Sequence, residues 1–139
     1  MFTELNNSTE NLSLIYSYTR AQAIEDGALV DVSELAKEAG FNYPVAVTRS
    51  VWDKYIYWTE KDTNRQTLQD TNGRLWDLLF VLRGRIRMSK DNGPQIAFPI
   101  LVIPRGGKGV KPKLTTLKSI VHGGDDLEPV ITISLPNED

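Results

Sequence analysis

A change of hydrophobic period at Asp91-Asn92-Gly93-Pro94 constrains this chain more than any other feature. Before it, Leu75, Leu79, Leu82 and Ile86 fall four, three and four apart, with Trp76 and Phe80 widening the stripe, which predicts a central core helix from Arg74 to about Met88. After it, strands are expected over Gln95 to Ile103, Lys113 to Val121 and Pro129 to Leu135. Ile131, Ile133 and Leu135 alternate with Thr132 and Ser134, as in a sheet with one buried face. Pro99 cannot donate to a ladder, so the first of these strands is an edge or carries a bulge. Helices first and strands last predict an α+β fold, with N-terminal short strands and helices packed against a C-terminal three-stranded antiparallel sheet.

The densest local signals lie between Leu14 and Ser33. Leu14 to Tyr18 suits a half-buried strand, Thr19 and Gln22 form the spacing of a capping box, and Gly27 provides a left-handed helix stop. Ser33 reads as the cap of a second helix ending at Gly40. Val45-Ala46-Val47 reads as a short strand, and Thr48-Arg49 opens a helix through about Trp58. Lys61 to Gly73 is polar and turn-rich, the composition of a surface loop. The resulting organisation is a flexible polar arm over 1–13, a single α+β domain over 14–136 and an acidic tail over 137–139.

With 139 residues the chain is long enough to bury one core, and the absence of cysteine excludes disulfide frameworks and thiolate zinc sites. No apolar run approaches a membrane span, and Met1 to Ser13 is polar rather than signal-like, so a cytoplasmic protein is expected. The net charge of −2 conceals an uneven distribution. From Arg83 to Lys118 nine basic residues face one acid, leaving seven against seventeen elsewhere. Such polarity suits an anionic partner, and equally two parts of one fold that attract each other.

Two residue groups follow as candidate sites. Arg83, Arg85, Arg87, Lys90, Arg105, Lys108, Lys111 and Lys113 are candidate nucleic-acid contacts, because phosphate neutralisation needs clustered cations. Thr19, Arg20, Thr48, Arg49 and Arg74 are candidate anion ligands, because an arginine at a helix start adds a bidentate donor to free amides. His122 beside Asp125, Asp126 and Glu128 has ligand types for a hard cation, but one histidine in a glycine turn fits a solvated hairpin better. Gly106 to Gly109 lacks the spacing of a phosphate loop. No catalytic constellation, resident metal or cofactor is implied, and the reading leans away from an enzyme.

Tyr16 to Gly27, Pro44 to Arg49 with Trp52, Gly73-Arg74-Leu75-Trp76-Asp77, and Gly124-Asp125-Asp126 with Glu128 to Ile133 together resemble one family of small proteins. It is the 6573 family of unknown function, from bacterial plasmids, integrative elements and phages, and the likeness runs from Ile15 onward. The resemblance implies a bacterial or phage cytoplasmic setting and supplies no activity or catalytic residue. The expected function is that of an accessory or binding protein of a mobile element. A non-specific nucleic-acid binder through 83–118 and a small enzyme with a phosphate site at the Thr-Arg helix starts are the alternatives. Partners left open are a protein, nucleic acid or a second copy of the chain.

Overall fold

Residues 18–89 and 93–138 are described by a computed structural model. Thr19 starts α1 (Arg20–Asp26) through the expected capping box, its hydroxyl accepting from the Gln22 amide while the Gln22 side chain accepts from the Thr19 amide. Gly27 ends the helix at φ 85°, a left-handed geometry that costs glycine little. Of the strand expected over Leu14 to Tyr18, residues 14–17 lie outside the described residues, and Tyr18 is not in a strand.

The chain continues through β1 (Leu29–Asp31), α2 (Ser33–Glu38), β2 (Val45–Thr48) and α3 (Arg49–Val51), which runs into a π-helical turn over Trp52–Ile56. Thr48 caps α3 by accepting from the Val51 amide at 3.3 Å. Ser33 does not act as a cap. Its hydroxyl accepts from the Val45 amide at 2.9 Å and donates to Asp31 at 2.5 Å, tying the start of β2 to the end of β1.

The polar stretch expected to be a loop holds a further helix, α4 (Glu60–Arg65), and the long helix α5 (Thr71–Met88) starts three residues before Arg74. Asp62 explains the first difference: with Thr59 it forms a second capping box, in which Asp62 accepts from the Thr59 amide and Thr59 from the Asp62 amide.

β3 (Gln95–Val102), β4 (Lys113–Gly123) and β5 (Pro129–Ser134) pair antiparallel, but they are not a separate three-stranded sheet as expected. The sheet has five strands in the order β1-β2-β5-β4-β3 and is mixed, because β2 runs parallel to β5 with Val45 opposite Ile131 and Val47 opposite Ile133. Burial explains this. Val45, Ala46 and Val47 have no exposed surface, and a strand apolar on both faces belongs inside a sheet rather than beside it.

Register places Val45, Val47, Ile131, Ile133, Leu117, Phe98 and Ile100 on one face of the sheet, where they join Leu75, Leu78, Leu79 and Leu82 of α5 in a single core. Trp76 and Phe80 do not widen that stripe. They are 39% and 59% exposed, because they lie one residue around the helix from Leu75 and Leu79, whose row faces the sheet.

Candidate functional site

β3 ends the sheet, and among the described residues no strand pairs with its outer side. The Val121 amide donates to the Pro94 carbonyl at 2.8 Å, and paired positions recur every second residue in an antiparallel ladder. Gln95, Ala97, Pro99 and Leu101 therefore turn their backbone groups to the free edge. Pro99 stands where the ladder to β4 requires no N–H, which is how an edge tolerates it.

Along that edge runs an apolar groove of about 500 Å³, with Trp76, Phe80 and Val81 of α5 on one side and Pro99, Leu101 and Leu114 on the other. Leu101 and Leu114 are opposite one another in the ladder and 70% and 73% exposed. Trp76 and Phe80 stack with centroids 6.5 Å apart, giving the groove a flat aromatic wall. A contiguous apolar patch of this kind, unlike single exposed leucines, marks an interaction surface.

The groove continues into a smaller cavity of about 190 Å³ that shares Asp77, Val81, Ile100 and Leu101 and reaches Arg74, Gln69 and Tyr55. Arg74 is buried and stacks on Trp58 at 4.3 Å. Its guanidinium donates to the carbonyls of Ile56 at 3.0 Å and Ile103 at 2.9 Å and to the Gln69 side chain. Burial pulls its pKa down to about 10, and among the described residues no carboxylate lies within ion-pair distance of it. A buried cation held by neutral oxygens alone is unusual.

Behind the cavity, Asp62 is 1% exposed and anchors the loop that leaves β3. It accepts from Arg105 Nε at 2.8 Å and pairs with Arg65, while Gln66 donates to the carbonyls of Pro104 and Gly109. Burial, the largest single influence, would raise the Asp62 pKa, but donors from the Thr59 amide, Arg105 and the Thr59 hydroxyl together outweigh it and hold it at about 2. Neither Asp62 nor Gln66 stood out in the sequence, although Thr59 and Asp62 carry the capping spacing that would have found them.

The candidate anion ligands are placed apart. The amides of Arg20 and Ala21 donate to Asp125 at 2.8 and 3.1 Å, so the start of α1 holds a carboxylate of the same chain. The Arg20 side chain donates to the Thr132 hydroxyl and the Ile131 carbonyl, both at 2.8 Å. Burial lowers its pKa, opposed by Asp31, Asp125 and Glu128. Arg49 sits at the other end of α1, donating to the Gly27 carbonyl at 2.8 Å and reaching Asp53 at 3.5 Å. Thr19 and Thr48 serve as helix caps, and Arg74 lies with the β3 edge rather than with either.

His122 joins Arg20 instead. Its Nδ1 lies 3.1 Å from the Gly123 carbonyl, which can only accept, so in the neutral ring Nδ1 carries the hydrogen and Nε2 accepts from the Thr132 hydroxyl at 2.8 Å. Tyr18, Arg20, His122, Asp125 and Thr132 line a shallow groove of about 370 Å³. Among the described residues no three His, Asp or Glu side chains converge on an ion-sized site.

The basic residues divide into two groups. Arg85 and Arg87 are exposed near the C-terminal end of α5, and Arg83 packs against Gly40, where a Cβ would stand 2.5 Å from its Nε. Lys108, Lys111 and Lys113 are exposed beyond the other end of β3, beside Arg105, which is committed to Asp62 and stacks on Tyr57 at 4.8 Å. The α5 helix runs against β3, since Arg74 meets Ile103 and Phe80 lies beside Pro99, so the groups flank the strand. Eight strand residues separate them by about 26 Å. Lys90 lies outside the described residues.

Fold and grooves define a small α+β domain with a long sheet edge that no other strand pairs with among the described residues. The chain belongs to the Family of unknown function (DUF6573), whose model matches residues 5–139. No curated protein and no solved structure matches it. No helix among the described residues is long and apolar enough to cross a membrane.

Proposed function

We propose that the chain is a non-catalytic binding protein that docks a partner protein along the free edge of β3, as an accessory factor of a bacterial mobile element or phage. One observation carries this reading: Trp76, Phe80, Val81, Leu101 and Leu114 form a continuous apolar groove beside a strand whose outer side is paired with no other strand among the described residues. Burying that surface on a partner gains the hydrophobic contribution that folding left unused. The mobile-element setting rests on the resemblance alone.

The test begins with co-purification from the native host by the tagged full-length chain, followed by reconstitution of the identified partner from purified components. Leu101→Asp and Phe80→Asp are expected to weaken the reconstituted complex by about a hundredfold, since each puts a charge where an apolar contact is needed. Tyr43→Asp, at an exposed position in another groove, serves as the control and is expected to leave affinity unchanged. Retention of full affinity by both groove variants would sink the reading.

A further inference from the structure

The charges around the β3 edge define what kind of segment it accepts. Arg85 lies one helical turn beyond Val81 and continues the row formed by Asp77 and Val81, so it stands at one end of the groove with Arg87 close by. Lys108, Lys111 and Lys113 are exposed at the other end. Within the adjoining cavity the hydrogen-bond acceptors of the buried Arg74 are all neutral among the described residues. Asp77 is the one acid lining either cavity among the described residues.

From this juxtaposition we infer that the edge captures an extended segment of a partner protein, apolar at alternate positions and acidic at both ends, which adds to the sheet as a sixth strand. Resting on the docking reading above, the inference adds the conformation and charge of the occupant. The outward amides of Gln95, Ala97 and Leu101 supply the main-chain donors, and Pro99 leaves a gap where the incoming strand finds none. Side chains on one face of the new strand meet Trp76, Phe80 and Val81, and those on the other extend the surface of Leu101. Its carboxylates meet cations at both ends.

A second copy of this chain is the poorer occupant on the same grounds. Antiparallel pairing of two β3 edges would bring Arg85 and Arg87 of one copy against Lys108, Lys111 and Lys113 of the other, and parallel pairing would bring each group against itself. Both arrangements set like charges together.

The experiment uses the full chain and two short synthetic peptides with the same alternating valine and threonine core, one flanked by glutamates and one by lysines. Fluorescence anisotropy is expected to show the glutamate peptide binding at least about tenfold more tightly, with the margin shrinking as salt is added. Amide exchange followed by NMR is expected to slow at Gln95, Ala97 and Leu101 when the peptide binds. Ala97→Pro removes one outward donor without touching the ladder to β4, and should cut peptide affinity several-fold while the circular dichroism stays unchanged.

Equal binding of the lysine peptide would overturn the acidic class, and leave the docking reading standing if Leu101→Asp still releases the reconstituted partner. Failure of both peptides, with the three amides still exchanging freely, would overturn strand addition. Slow exchange at those amides without peptide would reassign the edge, to a second copy if it strengthens with protein concentration and to another segment of the same chain if it does not. A short single-stranded DNA that outcompetes the glutamate peptide and slows the same amides would reassign it to nucleic acid.

Discussion

The two edge strands of the sheet are treated differently. β1 is three residues long, ends in the charged Asp31 and is packed by α1. β3 is eight residues long, apolar on its outer face at Leu101, and paired with no strand along its free side among the described residues. Edge strands are usually shortened, charged or covered because a bare one invites pairing, and β1 is both short and charged at its end. At β3, among the described residues, Pro99 and the charges at the two ends are what limit pairing. An edge blunted on one side and left long on the other is selective rather than neglected.

The largest expected effect contrasts the core behind the sheet with the open edge. Ile133, fully buried between β2 and β4, should lose about 3 kcal/mol on replacement by alanine, the cost of a core cavity. Leu101→Ser should change stability by less than about 0.5 kcal/mol, because that side chain is already in water. Urea denaturation of both variants decides it. A Leu101→Ser loss as large as that of Ile133→Ala would mean that the edge is covered in the folded chain and that the contrast between the strands is false.

Next in size is the polar anchor behind the open edge. Asp62 is held at a pKa of about 2, below its ordinary 3.8, so the folded state binds its proton more weakly than the unfolded state does. Its contribution is therefore complete above about pH 5 and is lost as pH falls through 2, by about 2 kcal/mol. Stability measured by denaturant across that window should fall accordingly, and Asp62→Asn should remove this part of the slope. An unchanged slope in the variant would show that other carboxylates set the acid limit.

A smaller effect belongs to the β1 side, where Asp125 accepts from the first two amides of α1. Asp125→Ala should cost about 1 kcal/mol, the usual size of a lost helix cap. Asp77→Ala, on the groove side, carries no such bond among the described residues and should be neutral. If the two variants behaved alike in thermal unfolding, the start of α1 would not be closed by Asp125 in solution.

These contrasts trace how much of the molecule was legible in its sequence. Thr19 with Gln22 fixed the start of α1, Gly27 its end, and the alternation at Ile131 and Ile133 fixed β5, because those signals are local. The joining of the three C-terminal strands to β1 and β2 was not legible, since parallel pairing of β2 with β5 links residues more than eighty positions apart and leaves no mark in either segment. The α4 helix was readable from Thr59 and Asp62 but was masked by the polar composition around them. The candidate site was legible only in part: the basic residues stood out by charge, whereas Trp76 and Phe80 look like core residues until the rotation of α5 turns them outward, and Leu101 until the sheet register does.

The smallest expected effect is also the sharpest probe of the open edge. Gly84 lies inside α5 one turn after Phe80, on the row that begins at Trp76, and a Cβ built there meets no atom within 4 Å. Glycine inside a helix costs stability relative to alanine, so Gly84→Ala should stabilise the fold by about 0.5–1 kcal/mol. On the β1 side a comparable change is forbidden, because Gly27 has φ 85° and a Cβ there would stand 3.1 Å from Arg49. Free space at Gly84 is therefore not a requirement of the fold. If the incoming strand follows the aromatic wall past Phe80 toward Arg85, the added methyl stands in its path, and the variant should gain stability while losing several-fold in affinity for the glutamate-flanked peptide. A gain in stability with unchanged affinity would confine the occupant to the stretch between Trp76 and Phe80 and remove Arg85 from its recognition.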